Sequence, residues 1–264
     1  MLVDFEIKTQ KFITKEDVCY VILKNNQFCL VNNVKAYQMK ICGKMAIDYV
    51  KKACNSKEII EINYSVTDNV FELVKSHCKN KNVVCVLYAD SPLINSSVLQ
   101  EIWNLFLSSG KGICKLPRGY IMQINTLKEK TNVLDVTKIG EHLARYFIPI
   151  NNLINFQDVE VKIQEQINFY HIENGVVIKD VKNTYIDADV EIGENTIIYP
   201  NNYIYGETKI GSNCTIMPNN VIINSEIEND VLLKGSYIEN CKIVKGQEVE
   251  PFTHIKKEKD KKWK

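Results

Sequence analysis

Hydrophobic residues follow three different patterns along this chain. In the first half they come as short continuous runs. Val18–Leu23 and Val83–Tyr88 are apolar over the length of a strand, rich in Val and Ile, and bounded by polar residues. Buried strands of a largely parallel sheet have this look. Ile59–Tyr64 is a weaker third run. Helical stretches lie between: Met45–Ala53, Val70–Val74 with its flanks, and one opening at Ser97. There Ser97-Val98-Leu99-Gln100 has capping-box spacing ahead of Ile102, Trp103 and Phe106. Strand alternating with helix predicts stacked βαβ units.

The second pattern occupies roughly 152–170. Phe156, Val159, Ile163, Ile167 and Tyr170 recur at intervals of 3, 4, 4 and 3, one apolar stripe on an otherwise polar helix that connects and docks. The third begins at Ile186. Aliphatic residues then recur every six positions through Ile192, Ile198, Ile204, Ile210, Ile216 and Ile222. The count slips by one at Ile227 and runs on through Leu233, Ile238, Ile243, Val249 and Ile255. Four residues after each early aliphatic stands a small or polar side chain: Val190, Thr196, Asn202, Thr208, Cys214 and Asn220. No 3.6-residue helix holds such a period, and an antiparallel sandwich would alternate at period two. A solenoid of short parallel strands holds it, each repeat burying one aliphatic in a shared core.

Composition narrows the function classes. The 264 residues are 25% charged and 45% hydrophobic with a net charge of +1, which gives no field to attract nucleic acid or a membrane. No apolar run approaches the ~20 residues of a membrane span. MLVDFEIKTQ lacks a basic-then-apolar leader pattern, so a cytoplasmic location is expected. The nine cysteines never form CxxC and read as reduced, buried small hydrophobes rather than zinc ligands or a disulfide framework. His77, His142, His171 and His254 share no motif with one another or with a serine. Residues 1–109 contain one glycine, Gly43, so a glycine-rich phosphate loop is absent from the half that would carry it.

Tyr185-Ile-Asp-Ala-Asp-Val-Glu-Ile-Gly, running on to Val249-Glu-Pro-Phe-Thr-His-Ile, resembles the left-handed β-helix of hexapeptide-repeat proteins. Within that group the chain is most similar to the bifunctional family that makes UDP-N-acetylglucosamine, an N-acetylglucosamine-1-phosphate uridylyltransferase joined to a glucosamine-1-phosphate acetyltransferase. Asn174-Gly-Val-Val-Ile resembles that family's junction, Val21-Ile-Leu its first strand, and Lys35 through Gly43-Lys44 the segment after its nucleotide loop. Leu87-Tyr-Ala-Asp90-Ser-Pro-Leu resembles its metal loop and Ile150-Asn151-Asn152 its second metal-binding segment.

The resemblance implies an α/β nucleotidyltransferase-like (Rossmann-like) domain over 1–150. A connecting helix and junction follow over 151–183, then a left-handed parallel β-helix over 184–255 and a lysine-rich tail over 256–264. It further implies Mg²⁺ held by Asp90 and Asn151, Lys35 on the phosphates, a nucleotide or sugar-phosphate ligand, and a trimer formed through the β-helix. Taken by themselves, Asp90 also fits a cap after a strand, Asn151 a helix N-cap, and Lys35 a solvated surface lysine. The departures are larger than the matches. Lys24-Asn-Asn-Gln-Phe-Cys-Leu-Val-Asn-Asn replaces the family's Ala- and Gly-rich loop with its Thr-Arg pair, and the only arginines are Arg118 and Arg145. At ~1–3 kcal/mol per lost amide or charged contact, triphosphate binding falls by several kcal/mol. Uridylyl transfer from UTP is therefore expected to be absent or very weak. The family's acetyl-CoA and amino-sugar residues follow the segment matched by Val249–Ile255, so no acetyl-CoA site is expected and His254 reads as structural. Three readings follow: a degenerate nucleotidyltransferase-like protein, an active Mg²⁺-dependent transferase with unusual phosphate contacts, or a non-catalytic trimeric scaffold or regulator.

Overall fold

The computed structural model describes residues 18–55, 58–129 and 136–256, the side chains of 128 and 129 excepted. MLVDFEIKTQ and all of the lysine-rich tail except Lys256 lie outside those residues. The chain divides into two compact units, Met1–Tyr37 with Ile47–Pro149, and Gln38–Ala46 with Ile150–Lys264.

Six strands form the sheet of the first unit: β1 (Val18–Asn25), β2 (Ile59–Tyr64), β3 (Val83–Tyr88), β4 (Ile113–Lys115), β5 (Tyr120–Gln123) and β6 (Thr137–Lys138). Their order is β6-β4-β5-β3-β1-β2. β1 runs parallel to β2 and β3, β6 parallel to β4, and β5 antiparallel to both of its neighbours. The continuous apolar runs follow from burial on both faces. Val18, Tyr20, Ile22, Val83, Cys85 and Leu87 enter one core cluster, while Cys19, Val21, Leu23, Val84 and Val86 enter another on the opposite face. Helices α1 (Ala46–Cys54) and α3 (Ser96–Ser109) cover the first face, and α2 (Val70–His77) and α4 (Ile124–Glu129) the second. The expected cap at Ser97 is corrected. Asn95 stands in extended conformation and its side chain accepts from the Val98 N–H at 3.0 Å, whereas Ser97 is already inside the helix.

The second unit is a parallel three-sheet β-helix preceded by α5 (Leu153–Glu173). The sixfold period becomes three columns. Ile186, Ile204, Ile222, Ile238 and Ile255 stack in one sheet. Ile198, Ile216, Leu233 and Val249 stack in the second, and Ile192, Ile210, Ile227 and Ile243 in the third. The polar positions four residues on line the corners. Asn202 and Asn220 are fully buried. The Asn202 Oδ1 accepts the Asn220 N–H at 2.9 Å, and the Asn220 Oδ1 accepts the Ser236 N–H at 2.8 Å. Each buried side chain thus satisfies backbone from the coil after it. Asn195, Asn201, Asn213, Asn219, Asn224 and Asn240 hold the left-handed turns, with φ between 46° and 67°, a conformation asparagine tolerates better than other non-glycine residues.

Asn152 caps α5, its side chain accepting from the Asn155 N–H at 2.8 Å. Val159 and Ile163 are buried as expected, but the stripe does not end on Tyr170, which is 61% exposed. Asn168 and His171 take the interior instead. Asn168 Nδ2 donates to the carbonyls of Val181 (2.8 Å) and Thr184 (2.9 Å), so a polar side chain fastens the helix to the first coil. A short hairpin, Lys40–Ile41 with Lys44–Met45, belongs to this unit. The Ala188 N–H donates to the Cys42 carbonyl at 3.0 Å, and Lys44 pairs with Asp189 at 2.6 Å.

Candidate functional site

In a parallel sheet, ligands gather at the carboxyl ends of the strands. Here β1, β2 and β3 end side by side on Asn25, Tyr64 and Tyr88, and Asp90 follows two residues later. The position is the one expected for a metal carboxylate, yet it is already filled. Arg118 forms a two-pronged ion pair with Asp90, its Nη1 meeting Oδ1 and its Nη2 donating to Oδ2 at 3.0 Å. Its Nη1 also donates to the Ser91 hydroxyl at 2.5 Å. The guanidinium lies 4.3 Å above the centroid of the Tyr88 ring, a cation–π arrangement. Tyr64 packs edge-on to Tyr88 at 5.4 Å. Burial pushes the Tyr88 phenol up to about 12 and raises that of Tyr64, against the lowering pull of Arg118.

The arginine is delivered by a tight turn between β4 and β5. The Leu116 N–H donates to the Gly119 carbonyl at 3.0 Å. Gly119 has φ +119°, and a Cβ there would stand 2.1 Å from the Val86 carbonyl oxygen. Only glycine fits this approach, and it sets Arg118 beside the end of β3.

The replaced nucleotide loop is a β-hairpin, Cys29–Val31 with Val34–Lys35. Its turn residues Asn32 and Asn33 both have positive φ, 48° and 62°, as a two-residue primed turn requires. Backbone groups that a phosphate loop would aim at a ligand are here spent on strand pairing. Lys35 extends its Nζ to the Cys29 sulfur across the hairpin at 3.2 Å. Asn151 lies in the second unit; its Oδ1 accepts from the side-chain amides of Asn152 (2.9 Å) and Asn155 (2.7 Å). The helix-cap role falls to its neighbour Asn152.

A Mg²⁺ ion takes hard oxygen ligands in a near-ideal octahedron. Among the described residues no three His, Cys, Asp or Glu side chains group to hold a metal ion, and both Asp90 oxygens are engaged by Arg118. The donor set around Asp90 does not fit the ion. His254 is exposed and packs edge-on to Tyr237 at 4.8 Å. All nine cysteines are free, six buried and Cys29, Cys42 and Cys241 half-buried. No helix among the described residues is long and apolar enough to cross a membrane.

Comparison with known proteins agrees with this architecture. Residues 189–224 match the family described as bacterial transferase hexapeptide (six repeats). The chain is 26% identical to the bifunctional protein GlmU of Clostridium botulinum (strain ATCC 19397 / Type A) over 311 aligned positions, covering 83% of this chain and 68% of that protein. It is 27% identical to the bifunctional protein GlmU of Thermoanaerobacter pseudethanolicus, covering 83% and 67%. Against the GlmU of Clostridium beijerinckii the identity is 43%, confined to 46% of this chain and 27% of that protein. The first of these alignments is longer than the 264-residue chain, so that relative carries segments inside the aligned span that this chain lacks. Over most of its length the chain is similar, at 26–27% identity, to GlmU proteins; it bears the hexapeptide repeat and is shorter than the relatives it matches.

Proposed function

We propose that this chain keeps the plan of a sugar-phosphate nucleotidyltransferase of the GlmU kind but has a closed transfer centre, and that it does not turn over UTP. The observation that carries the reading is the Arg118–Asp90 pair. A carboxylate gripped on both oxygens by a guanidinium, and by that route tied to Ser91 and Tyr88, offers a metal ion little negative charge. The hairpin at residues 29–35 supports the same reading, because it removes the amides that would bind a triphosphate.

Pyrophosphate release is the test. The protein is incubated with UTP, Mg²⁺ and N-acetylglucosamine-1-phosphate, beside the Asp90→Ala variant. Release at the level of the protein-free blank in both samples is the expected result. Turnover by the unmodified chain that Asp90→Ala abolishes would overturn the reading in favour of an active transferase built on Asp90, Asn151 and Lys35.

A scaffold role is favoured by the outer surface of the β-helix. Between the buried aliphatics of the second sheet, Ile197, Tyr199, Met217 and Leu232 point outward and are half-buried. The third sheet presents Glu191, Lys209, Glu226 and Lys242 instead, paired as Lys209–Glu191 (3.0 Å) and Lys242–Glu226 (2.8 Å). One face is built for water and another is apolar, and we infer that copies of the chain assemble through the apolar one, as a trimer.

A further inference from the structure

The second unit contains a cavity of about 810 Å³, within the size range of small-molecule sites. One wall is α5, where Gln157, Glu160, Val161 and Gln164 share a face by their three- and four-residue spacing. The opposite wall is aromatic. Tyr185 and Tyr203, directly paired in register on successive coils, stack with centroids 4.8 Å apart and planes within 2°, and Tyr205 leans on Tyr203 at 6.0 Å. Cys42 and Gly43 of the hairpin close one end. Gly43 has φ +83°, and a Cβ there would come within 2.9 Å of the Asp187 carboxyl group, so the hairpin sits as close to the coil as a backbone can.

The charges of the lining are unequal in their partners. Asp187 accepts the Gly206 N–H at 2.8 Å and feels Lys40. Lys182 lies beside Asp180, whose carboxyl group it helps to lower. Among the described residues nothing pairs with Glu160 or donates to it. Burial alone raises its carboxyl group above the usual range, the signature of a half-buried anion with no cation supplied by the protein. Burial pushes the Cys42 thiol up to about 12, which keeps it protonated at neutral pH. The lining carries three carboxylates, Glu160, Glu165 and Asp187, against the two lysines Lys40 and Lys182, a balance that favours a cation over an anion.

We propose that this cavity binds a small amine-bearing molecule, its ammonium group against Glu160 and its carbon skeleton along the tyrosine wall. Each part of the arrangement has a use for such a ligand. Glu160 gains a charge-assisted partner, the tyrosine wall gives the carbon skeleton apolar surface to pack on, and Gln157 offers an amide to further polar groups on the ligand.

Isothermal titration of the full chain tests this with putrescine, with 1,4-butanediol as its uncharged counterpart, and with N-acetylglucosamine as a neutral sugar. Saturable binding of putrescine is expected, with little or none of the two neutral probes. Glu160→Gln, which keeps the shape of this half-buried side chain, should weaken putrescine binding roughly tenfold or more. Tyr185→Leu should weaken it as well while circular dichroism stays that of the parent. Absence of putrescine binding, binding unchanged by Glu160→Gln in a folded variant, or equal binding of the diol overturns the proposal. Binding of N-acetylglucosamine alone would show a carbohydrate site instead and would equally overturn it.

Discussion

A single side chain sets the surroundings of the carboxylate at the carboxyl end of the first sheet. Asp90 stands two residues past the end of β3, where α/β sheets gather ligands, and Arg118 engages both of its oxygens. The pair is mostly buried, with side-chain exposures of 15% for Asp90 and 23% for Arg118, so removing one member leaves a charge facing a poor solvent. Arg118→Met should cost about 2 kcal/mol in urea unfolding. The double variant Asp90→Asn with Arg118→Met should recover much of that loss, because replacing both partners removes the orphaned charge. A single variant as stable as the parent would show that the ion pair contributes nothing. Asp90 was legible in the sequence from its place after an apolar run. Its partner was not: Arg118 is brought beside it by the strand order β5-β3 and by a glycine turn, and no periodicity links positions 28 apart.

Among elements, legibility followed the strength of the repeating pattern. Ile59–Tyr64 and Val83–Tyr88 have the bounds the apolar runs set, and every aliphatic of the sixfold repeat falls in its column. The two short hairpins and the three-residue β4 are too brief to carry a period, though Asn32-Asn33 between apolar residues is a turn signal that could have been read. α5 was legible in extent but not in its buried end. An apolar stripe forecast Tyr170 inside, whereas hydrogen bonding put Asn168 there, with His171 beside it. Burial lowers the pKa of His171 below its ordinary 6.5. The unfolded chain therefore binds more protons than the folded one as pH drops below about 6.5, and the folded state loses stability from there down through the lowered pKa. Glu160 and Asp187, raised by burial, act in the opposite sense, because protonation favours their folded form. His171→Phe keeps an aromatic ring without a titrating group. The melting temperature of the unmodified protein should fall between pH 7 and pH 5 by more than that of the variant, and parallel curves would rule out His171 as the cause.

At the scale of the whole molecule the question is what covers the β-helix. A solenoid buries its interior through its own coils, so the character of its outer faces is free to serve something else. The charged ladder of the third sheet contributes little to stability, as exposed ion pairs do, and its use is to remain in water. Ile197, Tyr199, Met217 and Leu232 have no such use, and an apolar strip on a repeat protein marks an interaction surface. Identical chains meeting head to tail close into a ring when the rotation at the contact divides a full turn, and the proposed trimer requires a turn of about 120° at that contact. Light scattering should accordingly give about three times 30.4 kDa at tens of micromolar protein. Met217→Glu combined with Leu232→Glu places two carboxylates on the strip without touching a buried column. It should return the mass to that of one chain while the far-ultraviolet circular dichroism of the β-helix is retained. A single-chain mass for the unmodified protein, or a trimer unmoved by the paired substitution, would mean that the apolar face is not where copies meet.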